Sequence, residues 1–237
     1  MFTPSGPTFR ELAVQALSSI EHGYDLLAPK FDETPFRTPD RLLDPVVRAL
    51  GPLGPFRSGL DVCCGTGAGV RVLRQLCEDG VTGVDFSAGM LAEAKATYPS
   101  VTWVRADALA LPFTEAFDLA VSFGAFGHFL PGERPALFAQ VHRALRPGGR
   151  FAFPLPAPAR VGSPLYWALW AFDAAMRVRN LLWRPTFVMY YRTFRLSDVL
   201  SELARAGFTV ELRPLEELGR LGDGSPRCGL VVATRHD

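Results

Sequence analysis

LDVCCGTGAG, residues 60–69, carries an apolar strand past an acid into a glycine-rich turn and the start of a helix. Leu60 and Val62 suit a buried strand, while Gly65, Gly67 and Gly69 keep side chains off the backbone where a ligand must approach closely. The helix that follows offers unpaired N–H groups to something negative. Glycines alone also describe a strand-to-helix turn that binds nothing, so the surrounding chain has to decide.

Working outward, apolar runs at 59–63, 81–85, 101–105, 117–123 and 150–154 alternate with helical patterns at 68–79, 88–97 and 133–145. Such alternation predicts a parallel sheet with helices on both faces. Upstream, Phe9, Leu12, Val14, Leu17, Ile20, Tyr24 and Leu27 predict one helix over 8–28, opened by a Thr8–Glu11 capping box and stopped by Pro29. A second helix is expected over 40–50. Downstream, a helix at 197–206 ends at Gly207, and strands at 208–213 and 228–234 are joined through GDGSP, which favours an antiparallel hairpin. Residues 155–195, rich in Pro, aromatic and Arg residues, break the rhythm and read as an insertion.

The 237 residues suffice for one well-packed domain, and a net charge of +1 gives no global reason to expect nucleic acid as a partner. Four cysteines, with Cys63 and Cys64 adjacent, form neither a disulfide framework nor a CxxC pair and read as buried thiols of a reducing compartment, by default the cytoplasm. The start, MFTPSGPTFREL, lacks the features of a leader, and no apolar run reaches the roughly 18 residues that span a bilayer. A soluble, unprocessed protein without a metal site is expected.

Asp85 ends the second strand about 20 residues beyond the turn, where an acid would take the hydroxyls of a nucleoside ribose. That spacing suits a nicotinamide fold equally. However, the third glycine of a dehydrogenase fingerprint falls on Val70, and Asp61 sits inside a strand that dehydrogenases keep apolar.

With these residues the chain resembles a class I, Rossmann-like S-adenosylmethionine-dependent methyltransferase of the small-molecule type, over about residues 60–149. The resemblance implies an α/β fold: a seven-stranded mostly parallel sheet in the order 3-2-1-4-5-7-6, its last strand antiparallel, with helices on both faces and a helical cap. It divides a single domain, 1–237, into N-terminal helices (1–55), a cofactor-binding core (56–154), a cap insertion (155–195) and a C-terminal helix and hairpin (196–237). Asp61, Gly65, Thr66 and Gly67 match the family's first motif, with Asp61 expected both to brace the loop and to help hold the cofactor's amino group. Cys63 stands where many members carry Gly and is the place to look for a shifted backbone. In VTGVDFSAGML, Asp85 falls on the ribose hydroxyls, with Phe86 and Met90 beside the adenine. In RADALALPF, Asp107 accepts from the adenine amino group and the Ala108 N–H donates to the ring. In FDLAVSFGAFGHF, Ser122 and Phe123 lie by the methionine portion, and Phe126 and Phe129 face the acceptor. The turn LRPGGR at 145–150 is also shared.

His128 reads either as a pocket-lining histidine or as a base that takes a proton as the methyl moves. Tyr24 with Asp25, and Phe31 with Asp32, resemble the tyrosine–aspartate pairs that close over the cofactor in related enzymes. The insertion has three readings, in descending order: an aromatic lid around a planar or lipophilic acceptor (with Trp167, Trp170 and Tyr190 in the pocket), an amphipathic helix on a membrane surface, or a homodimer interface. The expected activity is methyl transfer from S-adenosylmethionine to an oxygen, nitrogen or carbon of a small molecule, releasing S-adenosylhomocysteine. An RNA or protein methyltransferase and a non-catalytic cofactor-binding protein are the alternatives.

Overall fold

A computed structural model describes residues 6–236; residues 1–5, which begin the stretch read above for a leader, and residue 237 lie outside the described residues. The strands β1 (Phe56–Val62), β2 (Cys77–Asp85), β3 (Thr102–Arg105), β4 (Phe117–Val121), β5 (Leu145–Pro156), β6 (Phe208–Pro214) and β7 (Cys228–Arg235) form one seven-stranded sheet. Its order, β3-β2-β1-β4-β5-β7-β6, is the expected one. β1 pairs in parallel with both β2 and β4, whereas β7 runs antiparallel to β5 and β6.

Alternation along the strands divides the core between two faces. Leu60, Val62, Phe151, Phe153, Val231 and Ala233 point to one face. There they meet α6 (Arg134–Ala144) through Phe138 and Val141, and α8 (Leu196–Arg205) through Val199 and Leu203. On the other face Leu119, Val121, Ala152, Leu230 and Val232 meet α3 (Asp40–Leu50) and α4 (Ala68–Leu73) through Leu43, Val46 and Val72. Phe138, Phe151 and Phe153 are fully buried, each contributing roughly 1.5–3 kcal/mol relative to exposure. α5 (Ala88–Thr97) packs along β2 and β3.

Three elements differ from expectation. The helix expected over 8–28 is two, α1 (Phe9–Leu17) and α2 (Ile20–Leu27). Ser18 is extended with its hydroxyl donating to the Val14 carbonyl, and Ser19 caps α2 by accepting from His22 N–H. Serine hydroxyls that compete for backbone partners favour such a restart. α4 stops at Leu73, short of residue 79, because β2 starts at Cys77 to pair with Phe56. β5 extends well beyond 150–154, because its tail pairs with β7 as far as Pro156↔Cys228.

Residues 155–195 contain α7 (Pro164–Leu182), and Met176, Phe187 and Tyr190 form a third, small cluster against Ile20 and Tyr24 of α2. That contact sets the insertion against the N-terminal helices above the carboxyl ends of β1 and β4.

Candidate active site

The floor of the site is the turn between β1 and α4. Cys63 (φ 57°), Gly65 (φ 51°) and Gly67 (φ 98°) all take left-handed backbone conformations. For Cys63 this costs on the order of 1 kcal/mol, so the turn keeps its shape although the side chain there is not a hydrogen. Gly69 has a different task. A Cβ on it would lie 2.3 Å from Asp61 Oδ1, so its bareness lets the Asp61 carboxylate tuck under the start of α4. There Oδ2 accepts from Val70 N–H at 2.9 Å, while Oδ1 has no partner. Burial pushes the Asp61 carboxyl up to about 8.

Asp85 closes the turn from the β2 side, accepting from Gly65 N–H through Oδ2 and from Ser87 N–H through Oδ1, both at 2.9 Å. Burial nevertheless raises its carboxyl above the ordinary value, and the charge of Asp25 adds to the effect. Asp107 caps a short 3-10 turn, Ala108–Ala110, by accepting from Leu109 N–H. Burial among Asp61 and Asp85, and for half-buried Cys63 also the charge of Asp107, raises the Cys63 and Cys64 thiols well above the usual thiol range, so they stay protonated. Two of these acids, Asp85 and Asp107, open onto the same cavity. A cationic ligand with ribose hydroxyls and an adenine edge suits this donor and acceptor set: carboxylates for hydroxyls and amino groups, the Ala108 N–H for a ring nitrogen, and negative charge for a sulfonium or ammonium. Asp85, Phe86, Met90, Asp107 and Ala108 would hold the nucleoside of S-adenosylmethionine.

The roof comes from α2 and the insertion. His128 Nδ1 lies 2.7 Å from the Val188 carbonyl, which can only accept, so Nδ1 carries the proton and Nε2 presents a lone pair. Tyr24 O–H donates to that lone pair at 2.7 Å. Burial lowers the His128 pKa, partly offset by the Val188 bond, so the ring is neutral at pH 7. The Tyr24 ring meets His128 edge-on at 5.2 Å and stacks with Phe187 at 6.4 Å. Asn180 fixes the segment beneath, with Nδ2 donating to the Phe187 carbonyl and the Tyr190 hydroxyl, and Oδ1 accepting from Phe187 N–H. Tyr190 N–H in turn donates to the Gly127 carbonyl at 2.8 Å. Floor and roof enclose one cavity of about 1990 Å³. That exceeds the roughly 300–1,000 Å³ of a single small-molecule pocket, leaving room for a nucleoside ligand and a second molecule together.

The Methyltransferase domain family model matches residues 60–149, the stretch that builds the floor. An uncharacterized methyltransferase of Synechocystis sp. is 32% identical over 170 residues, covering 71% of this chain and 74% of that protein. The chain belongs to the S-adenosylmethionine-dependent methyltransferases. A 2-phytyl-1,4-naphtoquinone methyltransferase of Thermosynechococcus vestitus is 38% identical over 100 residues, 40% of this chain and 44% of that protein. The chain therefore aligns with under half the length of that relative. A crystal structure of an S-adenosylmethionine-dependent methyltransferase from Mesorhizobium loti matches with a TM-score of 0.57 and 28% identity, covering 81% of this chain and 100% of that one.

Of the residues expected at the site of this methyltransferase, Tyr24, Cys63, Gly65, Thr66, Gly67, Asp85, Phe86, Met90, Asp107, Ala108, Phe123, Phe126, His128, Phe129 and Tyr190 line the cavity. Four others do not. Asp61 is turned under the loop onto α4, and Ser122 is buried with its hydroxyl donating to the Val62 carbonyl at 2.8 Å. Trp167 and Trp170 project outward, because helical periodicity gives the inward positions of α7 to Tyr166, Leu169, Asp173 and Met176. Asp25 also turns away from the cavity, clamping α5 by accepting from Ser87 Oγ–H and Gly89 N–H.

Asp32, expected with Phe31 to close over the cofactor, accepts from the Thr66 hydroxyl at 2.8 Å and so ties the N-terminal segment to the glycine turn. Two contributors were not singled out from sequence. Arg71, paired with Asp40 and Asp44, borders the same opening. Asn180, a lone amide near the end of an apolar helix, is the other, holding Phe187 in the roof beside the expected Tyr24, His128 and Tyr190.

Proposed function

We propose that this methyltransferase acts on a lipophilic small molecule with a hydroxyl or enol head and an apolar tail. The observation that carries the reading is the lining of the cavity: besides Asp85 and Asp107 it is bordered by Leu155, Leu165, Leu169, Met189 and Phe194, with Arg160, Arg192 and Arg195 among them. The phytyl-bearing quinone named for the Thermosynechococcus relative is of the same chemical kind. The four free cysteines suit work in the reducing cytoplasm.

When bound, S-adenosylmethionine supplies an electrophilic methyl group on a sulfonium. The protein's residues position the acceptor and manage its proton. Phe126, stacked on Phe194 at 4.2 Å, gives a flat wall for a planar head. His128 Nε2, neutral and locked in one tautomer, takes the acceptor's hydroxyl proton, and Tyr24 O–H occupies that lone pair until the acceptor arrives. Positioning and exclusion of water by the aromatic roof account for most of the remaining acceleration.

The test is methyl transfer from labelled cofactor to hydroquinones bearing alkyl tails of increasing length. The expected result is a kcat/KM that rises with tail length until the cavity is filled. A flat dependence, or preference for small charged acids, would overturn the reading.

A further inference from the structure

The outward side of α7 is apolar where a solvent-facing helix would be polar. Val178 (55% exposed), Leu181 (83%) and Leu182 (76%) stand in solvent, accompanied by Trp167 (56%), Trp170 (49%) and Trp183 (53%). A contiguous apolar surface of this kind marks an interaction site. The charge around it is mostly positive. The sole acid of α7, Asp173, is buried and occupied in accepting from the backbone N–H groups of Tyr191 and Arg192. Arg177 and Arg184 are exposed. Beside Trp170 lies an open recess of about 410 Å³ bordered by Arg177, Arg192 and Arg195, with Arg134 buried at its base on Glu202 and Asp198 as the exposed acid there.

We propose that this face docks on an anionic phospholipid bilayer, with α7 in the plane of the interface and lipid phosphates in the arginine recess. Tryptophans at both ends of an apolar helix, with arginines and no exposed acid on it, are the chemistry of an interfacial helix. Among the described residues no helix is long and apolar enough to cross a membrane, so α7 lies on the bilayer rather than through it. A second copy of the chain fits less well, because a two-fold interface on this face would set the same arginines against their twins with Asp198 as the one exposed acid in the recess to pair them. The docking surface lies beside the site, since Leu165, at the N-terminal end of α7, is exposed and also lines the cavity with Tyr166 and Leu169. An acceptor dissolved in the bilayer thus reaches the cavity at α7. The inference rests on the lipophilic-acceptor reading for its purpose.

Three of the four tryptophans, Trp167, Trp170 and Trp183, lie on or beside this face, so brominated lipids report contact directly. Vesicles of mixed phosphatidylglycerol and phosphatidylcholine should sediment the full chain and quench its fluorescence, whereas pure phosphatidylcholine vesicles should bind it roughly tenfold less. The double variant Val178→Glu with Leu182→Glu should lower partitioning into the anionic vesicles about tenfold or more, and leave turnover of a short-tailed soluble hydroquinone unchanged. Absence of binding and quenching with the wild-type chain overturns the proposal. So does unaltered partitioning of the variant, or a wild-type dimer in analytical ultracentrifugation that the variant abolishes. If the variant also loses soluble turnover, quenching of the wild-type chain decides. Transfer to long-tailed acceptors in detergent without vesicle binding removes the docking and leaves the proposed function. Vesicle binding without transfer to any lipophilic acceptor removes that function and leaves the docking.

Discussion

The floor of the cavity and its roof hold their side chains by different means. In the floor, backbone amides within one strand–turn–helix unit or its neighbouring strand fix the acids: Val70 N–H on Asp61, Gly65 and Ser87 N–H on Asp85, Leu109 N–H on Asp107. In the roof, side chains tie together elements far apart in sequence. Arg179 donates to the Ala16 and Ser18 carbonyls and buried Arg134 bridges Glu202 and the Thr193 carbonyl, while Asn180 holds Phe187 and Tyr190 within the insertion. A floor made of local turns keeps one geometry whatever surrounds it. A roof made of distant contacts can be re-lined by changing a few side chains, which is how one cofactor fold serves different acceptors.

His128 stands on the seam, on the floor's chain but held by the roof's Val188. His128→Ala should therefore lower kcat by about 10²–10⁴ while leaving the affinity for S-adenosylmethionine, measured by calorimetry, unchanged. An unaltered kcat would reduce His128 to a lining residue and return the seam to the roof alone.

The same division explains what the sequence made readable. The glycine turn and Asp107 were legible because each acts through neighbours a few residues away, and Asp85 because its spacing of about 20 residues from the turn is fixed by one strand–helix–strand unit. The sheet order followed from the alternation of strands and helices together with the family's motifs. Ser18–Ser19, which splits the N-terminal helix, was visible but outweighed by the apolar periodicity on either side. Trp167 and Trp170 were placed in the pocket on composition, yet only the angular phase of α7 against α2 decides which of its aromatic residues face inward. Nothing in the linear pattern fixes that phase. Asp32 with Thr66, 34 positions apart, was hidden for the same reason.

A pair of substitutions tests whether the two regions are separable in energy. Asp85→Ala should weaken S-adenosylmethionine binding about 10–100-fold, the equivalent of one hydrogen-bonded charged group. Asn180→Ala should raise the acceptor KM about tenfold through loss of its bonds to Phe187 and Tyr190. Crossed with calorimetry for the cofactor and steady-state kinetics for the acceptor, each variant should move its own parameter only. If Asn180→Ala also loosens the cofactor, the roof helps shape the floor, and the distinction drawn above is one of sequence distance rather than of function.

The smallest effect is expected where roof and floor share a single hydrogen bond. Tyr24→Phe keeps the ring against Phe187 and His128 but removes the O–H that donates to His128 Nε2. That donation favours the neutral imidazole, so its loss lets the His128 pKa rise from its lowered position toward the ordinary value of about 6.5. The neutral form, the one able to take a proton, then disappears at a higher pH on acidification. The acid limb of the kcat/KM profile, which reports the free enzyme, should accordingly move upward, with kcat at pH 8 changed by no more than a few fold. A Tyr24 that merely packs α2 against the insertion would lower activity evenly at every pH and leave the limb in place. The position of the limb therefore separates a hydroxyl that guards the base from an aromatic ring that fills space.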